Sequence, residues 1–112
     1  PAGVIHLERG QLYEAANEFE WARKLMPGHP DPRVNLALTL ERAGRVDEAL
    51  ATYDSALEVY PDDLAAMQGL ARLQLRIGRA DDRTERFLRA IALRSDDQPW
   101  QEWAKLQLSR LP

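Results

Sequence analysis

The sequence predicts an all-α protein, an α-solenoid of antiparallel helix pairs, on three observations. Leucine and alanine supply 33 of the 112 residues and valine and isoleucine only 7, a balance that favours helix because β-branched side chains lose rotamer freedom there. The chain also repeats itself every 34 residues, with Gly10, Gly44 and Gly78 in one column, Phe19, Tyr53 and Phe87 in a second, and Ala22, Ala56 and Ala90 in a third. Periods of this length mark supersecondary units that stack on their neighbours. Finally, glycine, proline and aspartate stand where such units would start and stop their helices.

The middle unit is the clearest. A helix is expected over about 31–43, opened by Asp31 and Pro32 and ended at Gly44, a residue suited to the left-handed position just past a helix. A second helix follows over about 47–60, where Asp47 can cap the start and Ala49, Tyr53, Ala56 and Tyr60 form one apolar stripe. Pro61 stops it. The same register gives paired helices over 1–9 and 12–26, closed by Pro27, and over 63–77 and 81–94. A last helix over about 98–110 carries Trp100, Trp103, Leu106 and Leu111 on one side, as expected of a helix covering the final repeat. The whole chain is then one domain: a truncated first repeat (1–29), a second (30–63), a third (64–97) and a capping helix (98–112). Because the chain starts at Pro1 rather than Met, it is read as an excised fragment, with the cytoplasm favoured as its compartment.

Composition excludes several function classes. No stretch between charged residues exceeds the eight of Leu64–Ala71, far short of the roughly 20 apolar residues of a spanning helix, so no membrane insertion is expected. There is no cysteine, and His6 and His29 alone cannot complete a structural zinc site. The acid pairs Asp62–Asp63, Asp81–Asp82 and Asp96–Asp97 each precede a helix, where capping and the helix dipole explain them without catalysis or metal binding. The glycines are isolated helix terminators rather than a phosphate-cradling loop. No cofactor and no enzymatic activity is expected. The net charge of −3 argues against a nucleic-acid partner, but it is uneven: residues 1–63 hold 6 basic and 12 acidic side chains, residues 64–112 hold 9 and 6. Six arginines between Arg72 and Arg89 read either as a solvated face paired with acids such as Asp82 and Glu85 or as a site for an acidic partner.

With Leu36, Ala37, Gly44, Ala49, Tyr53, Ala56 and Pro61 in the middle unit, Gly3, Gly10, Ala15, Phe19, Ala22 and Pro27 in the first, and Leu70, Ala71, Gly78, Phe87 and Ala90 in the third, the chain resembles the tetratricopeptide repeat (TPR) family over nearly its whole length. Two positions depart from the pattern: Arg83 stands for a small residue and Ser95 for the closing proline. Arg83 either lies along the helix with its head in water or splays the pair.

The resemblance implies a right-handed superhelix whose first helices line a concave groove that binds peptides or other proteins. Its inward positions fall on Val34, Asn35, Leu38, Glu41 and Arg42, and on Ala65, Gln68, Gly69, Arg72 and Arg76, joined by Val4 and Glu8. The expected partner is another protein, as an acidic or amphipathic peptide or helix, since Arg72 and Arg76 share one helical face. Neither the carboxylate clamp nor the asparagine ladder of known TPR specialisations is present: of Val4, Asn35, Ala65 and Gly69 only Asn35 fits the first, and of Asn35, Gly69 and Trp103 only Asn35 fits the second. Asn35 remains a candidate for bonding a peptide backbone. Trp21, placed outward by the pattern, is either covered by Leu25 or an upstream helix or is a partner contact. With Trp100 and Trp103 it makes up a second candidate interface. The alternative function is therefore structural: a segment of a longer array, or a homo-oligomer, associating through its ends.

Overall fold

The computed structural model describes residues 2–26 and 28–112, the side chains of residues 2–9 excepted. Six helices account for its secondary structure: α1 (Ala2–Leu25), α2 (Asp31–Arg42), α3 (Val46–Val59), α4 (Leu64–Arg76), α5 (Asp82–Arg94) and α6 (Gln98–Arg110). No strand occurs among the described residues, and the all-α class read from composition holds. None of the helices is long and apolar enough to cross a membrane. The chain divides after Pro61 into two compact units, α1–α3 and α4–α6.

In the first unit α2 packs against both α1 and α3. The α2–α3 pair turns back on itself at Gly44, whose φ of 82° places it in the left-handed region. Its N–H donates to the Glu41 carbonyl at 3.0 Å and the Arg45 N–H to the Leu40 carbonyl at 2.9 Å. These two bonds satisfy the end carbonyls in a Schellman motif. Leu36, Ala37 and Leu40 of α2 meet Ala49, Tyr53 and Ala56 of α3 in a buried core. The three alanines are fully buried, so their columns hold small residues because the two backbones approach there.

α1 departs from the expected helix pair. One helix runs through Gly10, which has no positive φ. The reason lies three residues on. Asp47 and Asp81 follow Gly44 and Gly78 in the other repeats and favour a new helix start with their negative charge, whereas Tyr13 occupies that column in the first. Without such a start signal, continuing the helix costs only the roughly 1 kcal/mol of an interior glycine. Pro27 lies outside the described residues, as do the side chains of Val4, His6 and Glu8.

The second unit repeats the α2–α3 design with better-formed helix starts. Asp63 accepts from the Ala66 N–H at 2.9 Å, and Asp81 accepts from the Arg83 and Thr84 N–H groups at 2.9 and 3.2 Å. Thr84 Oγ1 accepts in return from the Asp81 N–H at 2.9 Å, closing a capping box. Asp47 differs from the expectation, since α3 begins one residue earlier, at Val46, and Asp47 lies in its first turn without capping it. Asp97 takes the N-cap position of α6 with no side-chain cap bond. Gly78, with φ 72°, ends α4 as Gly44 ends α2: its N–H donates to Leu75 and that of Arg79 to Gln74.

The two departures from the repeat pattern are accommodated within this unit. Arg83 lies over the Phe87 ring, its guanidinium carbon 5.9 Å from the centroid, with a terminal nitrogen 3.5 Å from Asp81 Oδ2. The long side chain follows the helix surface, and α4 and α5 stay packed together. Ser95 is buried. Its Oγ accepts from the Asp97 N–H at 3.2 Å, and its carbonyl accepts from the Gln101 side-chain amide. A serine thus links the end of α5 to the start of α6, and α6 packs on α5.

Candidate functional site

One concavity lies in the second unit. Arg72 of α4, Asp97 ahead of α6, and Pro99, Trp100 and Trp103 on α6 line a cavity of about 240 Å³. The 3-residue spacing of the tryptophans sets them side by side on one helical face. Their rings meet edge to face at 84°, with centroids 5.2 Å apart, the arrangement that aromatic quadrupoles favour. Both are half-buried. One wall is therefore aromatic and rigid, while Arg72 and Asp97 bring one charge of each sign. Drug-sized and cofactor pockets run from about 300 to 1,000 Å³, and this cavity is smaller. Its size and lining suit a single large side chain of a longer ligand.

Arg72 was expected in the groove and the two tryptophans in a separate end interface, and the structure brings all three together. The spacing of Trp100 and Trp103 on one face was the available signal. Of the other expected groove residues in this unit, Arg76 and Ala65 are exposed, and Gln68 and Gly69 half-buried.

In the first unit Asn35 is exposed and lines a cavity of about 320 Å³ between the end of α1 and the start of α2, with Phe19, Ala22, Met26, His29, Asp31 and Pro32. Val34 and Leu38 are half-buried and Arg42 exposed. Glu41 departs from the expectation. It is buried, and its carboxylate accepts from the Tyr53 hydroxyl at 3.2 Å, so it locks α2 to α3 instead of facing a ligand. Trp21 is 63% exposed, outward as the repeat pattern placed it.

One carboxyl on α1 is electrostatically shifted. The hydrogen bond from Arg23 holds Glu20 below the usual carboxylate range, and the same bond raises Arg23. Among the described residues no three histidine, aspartate or glutamate side chains gather as metal ligands.

Helix pairs closed by left-handed glycines, packed through buried alanines and an aromatic every 34 residues, define a helical-repeat protein. The tetratricopeptide repeat model matches residues 6–70 and again residues 40–107, two matches whose starts differ by one repeat, and the chain belongs to the tetratricopeptide repeat family. It is 35% identical over 81 residues to the TPR repeat-containing thioredoxin TTL4 of Arabidopsis thaliana, covering 72% of this chain and 12% of that protein. It is 30% identical over 98 residues to tetratricopeptide repeat protein 8 of Caenorhabditis elegans, covering 82% and 18%. Over 68 residues it is 35% identical to the human protein O-mannosyl-transferase TMTC2, covering 60% and 8%. The chain thus spans less than a fifth of each relative's length. TPR repeats generally mediate protein–protein interaction.

Proposed function

We propose that this chain is a non-catalytic interaction module that holds a peptide or helix of a partner protein. Its anchor is the Arg72–Trp100–Trp103 cavity of the second unit, the observation that carries the reading. An apolar or aromatic side chain enters against the two rings, and an acidic neighbour meets Arg72, a charge-assisted contact. The exposed and half-buried first-helix residues Ala65, Gln68, Gly69 and Arg76 of the same unit supply further contacts. Rigid aromatics in a partly desolvated recess are where binding energy concentrates.

Selection of a displayed random-peptide library on the chain tests this reading. Enriched peptides should share a large apolar residue beside an acid and lose about tenfold or more in affinity on Arg72→Glu or Trp103→Ala. Peptides that bind both variants as tightly as the parent, with helicity unchanged, would overturn it.

A further inference from the structure

The peptide-anchoring reading uses the tryptophan wall and Arg72 but leaves one charge of the cavity lining without a role, that of Asp97. Asp63, Asp81 and Asp97 each take the N-cap position of a helix in the second unit. The first two spend their carboxylates there. Asp63 accepts from the N–H three residues on, and Asp81 from those two and three residues on. Asp97 makes no such bond. Pro99 stands two residues after it and has no N–H, which removes one of the two donors that an N-cap acid ordinarily uses. The Asp97 backbone is fixed all the same. Its N–H donates to Ser95 Oγ at 3.2 Å, and its carbonyl accepts from the Gln101 N–H at 3.1 Å. A carboxylate released from capping is thus held in the lining of the aromatic cavity, with exposed Asp96 before it in sequence.

We propose that Asp97 reads a positively charged nitrogen of the partner peptide, on a basic side chain or a free amino terminus, placed beside the apolar anchor. This rests on the peptide-anchoring reading and narrows its ligand to three features: an acid for Arg72, a large apolar residue for the rings and a cation for Asp97. A carboxylate beside an aromatic wall favours such a group twice over. It attracts the opposite charge directly, and an indole face draws a cation to its ring quadrupole. Arg72 lines the same cavity and repels a ligand that is only basic, as Asp97 repels one that is only acidic. Together the two residues select peptides that carry one charge of each sign around the anchor, a pattern neither would impose alone.

End-blocked tripeptides Glu-Phe-Lys and Lys-Phe-Glu, and the same two with glutamine for lysine, serve as probes. Each is titrated from about 0.1 to about 10 mM while the Trp100 and Trp103 indole N–H signals are followed by NMR. A lysine peptide should bind about fivefold more tightly than its glutamine counterpart. Asp97→Asn keeps a good N-cap residue and should close that gap by weakening the lysine peptide alone, while Asp97→Lys should reverse it. The dipeptide Phe-Glu, with its amino end free or acetylated, separates the two sources of the cation: a preference for the free end that Asp97→Asn removes assigns the amino terminus, and a gap confined to the tripeptides assigns the side chain. Equal binding of charged and neutral probes from both sources, or a gap that survives Asp97→Asn, would overturn the role of Asp97 and leave the anchor standing. Binding that Trp103→Ala and Arg72→Glu leave unchanged, or no shift of either indole at the highest concentration, would overturn the anchor and this role with it.

Discussion

Thr84→Val probes the polar lock between α4 and α5. The side chains have the same shape, so the change removes one hydroxyl and leaves packing in place. That hydroxyl is fully buried. It accepts from the Asp81 N–H at 2.9 Å and donates to Gln74 Oε1 at 2.7 Å, while the Gln74 amide donates to Asp81 Oδ2 at 3.2 Å. Two hydrogen bonds are lost, each worth about 1 kcal/mol net, and the nearly buried Gln74 carbonyl is left without its donor at about 1–3 kcal/mol more. The expected destabilisation is about 3 kcal/mol, or roughly 10–15 °C in Tm for a chain of this size. Urea unfolding followed by circular dichroism measures it. Gln74→Leu in the Thr84→Val background should return part of the loss, because removing both partners leaves no orphaned carbonyl. A loss under about 0.5 kcal/mol, or strictly additive effects in the double variant, would refute the reasoning.

Other perturbations test other parts of the structure. Gly10→Ala should stabilise the chain by about 0.5–1 kcal/mol, since Gly10 is helical and open around its Cα, while Gly44→Ala should cost about 1–2 kcal/mol at its positive φ; thermal melts of the two variants should shift in opposite directions. Ala49→Leu forces a larger side chain into the fully buried seam between α2 and α3 and should cost about 1–3 kcal/mol by denaturant titration. Glu20, with its pKa lowered by Arg23, favours folding above the unfolded carboxylate value and loses that contribution as pH falls through its own lowered value. Stability measured from pH 6 to pH 2 should therefore fall less steeply in Glu20→Gln than in the parent, by a few tenths of a kcal/mol for a pair this exposed.

Much of the fold was legible because repeat columns report packing directly. Buried Ala37, Ala49, Ala56 and Ala71 and left-handed Gly44 and Gly78 stand where their columns placed them. Gly10 was misleading because a column fixes the residue but not its neighbours, and Tyr13 withholds the acid that would start a second helix. Glu41 looked like a groove residue by register alone; its burial depends on the Tyr53 hydroxyl 12 residues away, a tertiary partner that no local pattern announces. The cavity was half legible. Arg72 and the tryptophans were each singled out, but their convergence depends on how α6 folds back after the Ser95 link.

The peptide-anchoring cavity is tested most directly by following the Trp100 and Trp103 indole N–H signals by NMR while a library-selected peptide is added. The account predicts that both shift progressively to saturation in the parent and stay unmoved at the same peptide concentrations in Arg72→Glu. Saturable binding that leaves both indoles unshifted would contradict it.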